Sequence, residues 1–322
     1  MVVQLLIGMI KSFLSRVRYL GWIMTRGQII HYKYWRTNKE RRRITNVLSS
    51  KNTLDYIINQ KCSVARYGDG EFQLIEHLTS GGDLSDFKVN SFQTYNKELA
   101  KRLLDVLYNP VDNLLVCIPY PLINSKVYRK YEKFFFEREW LIHNRLVKDS
   151  ARRHKLLGDA AFTRFYMHRK DITDFEEYLR HLKTIWNGES VILVEGEKTR
   201  LGVRNDLFDN VFELKRILCP SVDAFSAYPR ILSAIKSLCN KDCLYLLALG
   251  QTATVLAHDL AIIGLRAIDI GHLDVEYEWY RMGAKDKCPL PDKYVNEVIE
   301  GRIVDNHFSD YTYESQILTT IE

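Results

Sequence analysis

The sequence predicts an α/β fold, a mostly parallel sheet with helices on both faces, preceded by a basic helical extension. Three observations lead there. Short apolar or β-branched runs alternate with longer amphipathic stretches, the pattern of parallel strands joined by helical crossovers. The composition is globular: 322 residues, 46% hydrophobic and 27% charged, with 16 Gly and 7 Pro, which excludes collagen-like, low-complexity and disordered classes. The charge is segregated. Residues 1–43 hold ten Lys/Arg against the single acid Glu40, so the remaining 279 residues carry a net −3 of the chain's +6.

Taken in order, the chain opens with this extension. Leu6, Ile10, Phe13, Val17 and Leu20 recur at spacings of four and three, one face of a helix. Arg16, Arg18 and the cluster at 39–43 form its cationic side, with Trp22, Tyr32, Tyr34 and Trp35 between. The apolar run 2–10 is too short to span a bilayer, and it lacks the charged n-region and cleavage site of a signal peptide. Two readings stay open: a helix lying in the headgroup region of an anionic leaflet, or one packed on the body or on a second subunit. No RNP-like, zinc-finger or helix-turn-helix signal accompanies the charge, so nucleic acid is not expected as a partner.

From residue 44 to 322 a single α/β domain is expected, with no Pro/Ser/Gly-rich linker and no repeat. Strands are expected at 62–66, 114–119, 190–195, 216–219, 243–249 and 266–270. Helices are expected at 97–107, 126–144, 175–186, 206–212, 228–238 and 252–263. The charged and aromatic stretch 120–183 suits an acceptor-binding insertion or a set of covering helices. Six cysteines without a CxxC pair make neither a disulfide framework nor a zinc site and suit a reducing cytosol.

In an open parallel sheet, ligands bind beyond the carboxyl ends of the strands, so the residues just after each strand carry the chemistry. Four such segments stand out. ARYGDGE at 65–71 sets two glycines around an acid, with Arg66 suited to a phosphate and Asp69 and Glu71 to sugar hydroxyls; a DG turn with Arg66 paired to Asp69 would leave the same trace. VEGEKTRLGVRNDLF at 194–208 lacks the spacing of a P-loop and of GxGxxG, which argues against an NTPase and an NAD enzyme. It keeps three cations and Asn205 or Asp206 as a helix cap, either an anion site or a plain surface loop. ALGQTATVLAHDL at 248–260 is strand, Gly and Thr-capped helix, a phosphate-receiving geometry or an ordinary βα turn. In IGHLDVEYEWY at 270–280, a chain that stays extended puts His272, Asp274 and Glu276 on one face. Asp274 and Glu276 then offer hard oxygens to Mn²⁺ or Mg²⁺, unless the acids and aromatics simply alternate on a half-exposed strand. Together the segments describe a nucleoside diphosphate bridged by a divalent ion.

RYGDGE at 66–71, VEGEKTRLGVRNDLFDN at 194–210, ALGQTATVLAHDLA at 248–261 and DIGHLDVEYEWY at 269–280 resemble the GT-D-type glycosyltransferases of bacterial surface-glycan and glycoprotein pathways. The resemblance runs from about residue 52 to the end of the chain. It implies a Rossmann-like domain, a UDP-sugar donor and a divalent ion at a DxE motif, here Asp274 and Glu276. It also implies a nucleotide-sugar site at Arg66, Gly68, Asp69, Glu71, Glu195, Arg200, Asn205, Asp206, Gly250 and Thr252, with Gly196 and Thr254 in the same motifs. The chain departs from the family pattern at Arg204, where Gly is usual, and at Gln251, where Pro is usual.

The expected activity is a metal-dependent transfer of a hexose from a UDP-sugar to a lipid-linked glycan acceptor at the cytoplasmic face of the membrane. Asp69 is the expected base, with Glu71 and Glu195 as rivals. The alternative is a non-catalytic nucleotide-sugar-binding partner in a membrane-associated assembly, and a homo-oligomer stays open.

Overall fold

The computed structural model describes residues 23–80, 93–238, 241–304 and 308–322. The apolar periodicity at 6–20 lies outside these residues. The strands are β1 (Ser63–Arg66), β2 (Leu114–Ile118), β3 (Gly158–Asp159), β4 (Ser190–Gly196), β5 (Glu213–Cys219), β6 (Cys243–Ala248), β7 (Arg266–Asp269) and β8 (Ile317–Thr320). They form one sheet in the order β3-β2-β1-β7-β6-β4-β5-β8. Every pairing in it is parallel.

The helices of nine residues or more among the described residues are α1 (Gln28–Arg36), α2 (Ser50–Gln60), α3 (Asp69–Ser80), α4 (Lys97–Tyr108), α5 (Lys130–Arg153), α6 (Phe175–Lys183), α7 (Tyr228–Leu238), α8 (Gln251–Ile262) and α9 (Leu273–Arg281). Side chains alternate across the strands and so feed two cores. Ala65, Val116, Val194, Tyr245 and Leu247 pack with Leu74 of α3, Leu103 of α4, Trp140 of α5, Ile231 of α7 and Leu256 of α8. Val64, Leu115, Leu193, Leu246 and Ile268 pack with Leu54 and Ile57 of α2, Leu182 of α6 and Tyr277 of α9. Both faces are covered, which is why SVILVEG of β4 and CLYLLA of β6 are apolar almost throughout.

Several expectations are corrected. Residues 206–212 form turns rather than a helix. The chain does not stay extended after β7: Gly271, at φ +49°, turns it into α9. The edge strands β3 and β8 had no sequence signal. β3 is two residues long, and β8 alternates half-buried and exposed positions.

Residues 28–43 pack on the body. The Tyr34 hydroxyl donates to Ile123 O at 2.9 Å, and His31 Nδ1 lies 2.8 Å from Glu137 Oε1 of α5. Trp140 Nε1 donates to Thr37 Oγ1 at 2.8 Å, and the Arg41 guanidinium lies 3.4 Å over the Tyr34 ring. Among the described residues no helix is long and apolar enough to cross a membrane.

The β2–β3 edge is closely packed at Gly158. A Cβ there would overlap Cys117 Sγ and approach Leu115 Cδ2 to 2.9 Å. Gly158→Ala is expected to lower stability by about 1–3 kcal/mol. Adding Cys117→Ala should recover part of the loss, checked by urea unfolding of both variants.

Candidate active site

The strand order reverses between β1 and β7, since β2 and β3 build outward from β1 on one side while β7, β6, β4 and β5 lie on the other. Beyond the carboxyl ends of these strands opens a cavity of about 580 Å³, the position where doubly wound sheets bind ligands. Residues 66–72 form one wall, with Gly250, Gln251, Gly271, His272, Asp274 and Glu276 opposite. The first half of α5 closes the outer side with Tyr131, Glu132, Phe135, Phe136, Arg138 and Glu139.

Arg66 is the centre of the floor. Its Nη1 donates to Ala160 O at 2.9 Å and Thr163 Oγ1 at 2.6 Å, and its Nη2 reaches Asp269 Oδ1 at 3.1 Å. One guanidinium thus ties the ends of β1 and β7 to the turn after β3. Gly271 is required beside it, because a Cβ there would overlap Arg66 Nη2. The Thr254 hydroxyl donates to Arg66 O at 2.7 Å, fixing α8 on the same point. Arg66 therefore holds strand ends together while also lining the cavity.

The two acids of the GDGE turn part company. Glu71 Oε2 accepts from Gly68 N at 2.6 Å, so it closes the turn, and burial pushes its carboxyl up to about 7. Asp69 is half-exposed on the cavity wall. Burial and the charge of Glu139 raise its pKa, opposed by its own backbone N–H and by Arg164. Glu139, which the sequence reading did not single out, accepts from Arg138 Nη2 at 2.6 Å and faces His143 Nε2 at 3.3 Å.

The acids of the DxE motif also diverge, because α9 places residues two apart about 200° around its axis. Asp274 Oδ1 accepts from Gly202 N at 2.9 Å and Asn205 Nδ2 at 2.8 Å, and its Oδ2 accepts from Lys293 Nζ at 2.7 Å. Glu276 Oε2 accepts from Tyr166 N at 3.1 Å and Met167 N at 2.8 Å, while its Oε1 meets only the longer 3.5 Å approach of Arg164 Nη1. Arg164 also reaches Glu297 Oε1 at 2.5 Å and His272 Nδ1 at 2.7 Å. Burial opposes ionisation of Glu297, but Arg164, His272 and Lys287 together outweigh it and hold the carboxyl well below the usual range. Burial lowers the pKa of His272, so its ring stays neutral and can accept from Arg164. Among the described residues no three His, Cys, Asp or Glu side chains cluster as a metal cage.

The second motif lies to one side. Glu195 is fully buried, its Oε1 paired with Arg216 Nη1 and its Oε2 accepting from Leu201 N at 2.7 Å. It anchors the 196–205 loop from beneath and is not among the residues that line the cavity. Arg200 donates to Asp292 O at 2.6 Å and lies over the Phe308 ring, also off the wall. Asp206 is exposed and accepts from the Tyr277 hydroxyl at 2.5 Å, and Asn205 bridges Asp274 and Glu278. Gly196 has Ser221 Cα 3.0 Å from where its Cβ would be. Of the third motif, Gly250 reaches the cavity, at φ +55° and ψ −139°, a conformation suited to glycine, while Thr252 and Thr254 are buried behind it. Gln251, one of the two departures noted above, is on the wall, and Gly70 has no Cβ because Gln251 Nε2 fills that space.

A doubly wound parallel sheet with an acid-lined cleft and a glycine-opened helix at its switch point is the architecture in which α/β enzymes hold a ligand. The chain belongs to the glycosyltransferase GT-D fold family, whose model matches residues 64–298. It is 34% identical over 288 residues to a probable glycosyl transferase, Gly, of Streptococcus gordonii, a match covering 88% of this chain and 39% of that protein. It is 32% identical to the glycosyltransferase GlyD of Streptococcus pneumoniae, over 86% of this chain and 33% of the relative. The chain thus spans little more than a third of these curated relatives. A solved structure described as a new glycosyltransferase from Streptococcus sanguinis aligns with a TM-score of 0.76 at 34% identity, over 86% of this chain and 99% of that one. Another, described as a domain of unknown function 1792 with a distinct glycosyltransferase fold, gives 0.76 at 36% identity over 88% and 98%.

Two predictions follow from this geometry. Gly271→Ala should displace Arg66 and collapse the floor, read as loss of ligand binding together with a lowered melting temperature. Glu71 has a folded pKa raised above its unfolded value, so its stabilising contribution is full below about pH 4.5 and is lost as pH rises through about 7. Glu71→Gln keeps an acceptor for Gly68 N, and relative to wild type it should gain up to about 3 kcal/mol of stability between those pH values, measured by denaturant unfolding.

Proposed function

We propose that this chain transfers a hexose from a UDP-sugar to a hydroxyl of a glycan acceptor, with Asp69 as the general base. The observation that supports this best is the contrast between Asp69 and its neighbours. All four acids line the cavity, but Glu71, Asp269 and Asp274 have their carboxylates hydrogen-bonded within the protein, whereas that of Asp69, half-exposed on the wall with its pKa raised, is left to face the cleft. A carboxylate so raised is a better proton acceptor at neutral pH. The acceptor oxygen bonds to the anomeric carbon as the bond from that carbon to the diphosphate breaks. The UDP keeps the electron pair, and the acceptor proton passes to Asp69.

The residues around the cleft suit a diphosphate. Gly250 and Gln251 bring the start of α8 to the wall, where amide N–H groups and the positive helix end favour an anion. Arg164, Lys287 and Arg302 add cationic charge on the opposite side. Asp274 is saturated by three donors and serves to hold the 202–205 loop and Lys293. Glu276 Oε1 is the DxE oxygen open to a hard cation, and one carboxylate completed by phosphate oxygens and water is an ordinary Mg²⁺ or Mn²⁺ set. Such an ion supplies charge neutralisation on the departing diphosphate. We take the acceptor to be lipid-linked and met at an anionic membrane surface, on the strength of the basic first forty-three residues.

Release of UDP from a panel of UDP-sugars, with and without Mn²⁺, tests the reading. One donor should be hydrolysed slowly and in a metal-dependent way. Asp69→Asn should lower transfer by about 10²–10⁴-fold while leaving UDP affinity unchanged. Equal loss of both would remove Asp69 as the base, and saturable binding without turnover by any donor or acceptor extract would favour a binding partner over an enzyme. Glu276→Gln keeps a carbonyl for Tyr166 N and Met167 N and should abolish the Mn²⁺ dependence with the fold intact.

A further inference from the structure

We infer that the outward face of α1 is a docking surface for an anionic lipid bilayer. The inward face of this helix is fully engaged: Tyr34 is buried against Ile123 and Ser125, and His31 meets Glu137 of α5. On the other face Ile29, Tyr32 and Trp35 are 57%, 58% and 62% exposed. They follow one another at intervals of three residues, and the Tyr32 and Trp35 rings stack with centroids 6.2 Å apart. By contrast Trp140, Trp186 and Trp279 are wholly buried.

The flank of this ridge is cationic. Arg26, Lys33, Arg36, Lys39, Arg42 and Arg43 are all exposed, and among the described residues none of them forms an ion pair. The only acid between residues 26 and 43 is Glu40, which Lys148 Nζ engages at 2.9 Å. Tyr and Trp favour the headgroup level, where an apolar ring and a polar edge are both satisfied, and Lys and Arg beside them meet anionic headgroups. The charge pattern decides between occupants. A second copy seated on this face would set cations against cations. Residues 1–22 carry Lys11, Arg16 and Arg18 and no acid, so their composition offers this flank no complementary charge. A nucleic acid would satisfy the cations but leave Ile29 and the ring stack without an apolar partner.

The position of the face gives it a use. α5 holds α1 through Lys133, Glu137 and Trp140, and its other side walls the cavity with Glu132, Phe136 and Glu139. A bilayer against α1 is therefore one helix away from the cleft. Delivery of an interfacial acceptor to that cleft rests on the transferase reading above, whereas the docking itself does not.

The test uses the full chain and vesicles of phosphatidylglycerol and phosphatidylcholine in equal parts, with pure phosphatidylcholine as the control. Two variants are compared, Ile29→Ser/Tyr32→Ser/Trp35→Ser and Lys33→Glu/Arg36→Glu/Lys39→Glu, both at exposed positions and both checked by melting temperature. Co-sedimentation should show binding to the anionic vesicles alone, weakened at least about tenfold by each variant at unchanged melting temperature. Failure of the wild type to bind anionic vesicles would overturn the inference, as would two variants that bind as the wild type does. So would gel filtration, without lipid, of an oligomer that the first variant dissolves, since a second copy would then cover the face. UDP-sugar hydrolysis in lipid-free solution is scored separately, so a failed transferase reading and a failed docking surface are told apart.

Discussion

The site depends on a guanidinium placed under the switch point of the sheet. At the ends of β1 and β7 the backbones diverge to make a crevice, and a crevice between parallel strands leaves carbonyl groups without ladder partners. Arg66 bridges this point, its guanidinium reaching Ala160 O and Thr163 Oγ1 in the turn after β3 and Asp269 Oδ1 at the end of β7. Burying such a charge is tolerable because Asp269 is buried beside it and itself accepts from Gly271 N at 3.0 Å. The neighbouring glycine and threonine follow from this choice: Gly271 leaves room for the guanidinium, and Thr254 fastens the Arg66 carbonyl to α8. Three of the four motifs thereby meet at one residue.

A second buried ion pair does the same for the remaining motif. Glu195, at the end of β4, and Arg216 of β5 lie in the interior, and Arg216 also donates to Leu201 O at 2.8 Å and to Gln316 Oε1 at 2.7 Å. The 196–205 loop is thus held from below by Glu195 and from the side by Asp274, with Gly202 and Asn205 as its points of attachment. Breaking one partner of such a pair leaves a charge stranded in the core, which is far more costly than the pair is stabilising. The loop is accordingly a rigid shoulder of the cleft, and its cations Arg200 and Arg204 reach outward to Asp292 and Phe308.

The central strands were legible because each is a buried apolar run, as in LLVCI of β2 and CLYLLA of β6. The edges were not: β3 is too short to have a pattern, and the ILTT of β8 pairs with β5 through a register shift near Arg216. The motif positions were legible too, since they fall where strands end. Their roles were not, because a role is set by partners distant in sequence. Arg66 is bonded to Asp269, 203 residues away, and Glu195 is paired with Arg216 on the neighbouring strand, and neither partner can be read from the motif that holds them. Arg164 and Glu139 sit mid-segment in the charged stretch 120–183, where no glycine or strand end marks them, and only the fold brings them to the wall.

The two acid pairs, Asp69 with Glu71 and Asp274 with Glu276, show how one local rule produces two functions. Each pair stands two residues apart in the first turn of a helix, α3 or α9, where acids complement the helix dipole. Two residues of helix turn a side chain through about 200°, so the members of a pair cannot share a ligand as they would on a strand. In each pair one member turns into the protein and fixes the backbone: Glu71 bonds Gly68 N, and Asp274 bonds Gly202 N. The other, on the same cavity wall, is less fully bonded: Asp69 lies half-exposed there, and Glu276 Oε1 meets the 3.5 Å approach of Arg164. An extended DxE would have offered two oxygens to one cation and left the loop unheld. The helical one separates the two acids, with Asp274 bonded to the 202–205 loop and Glu276 to the backbone at Tyr166 and Met167.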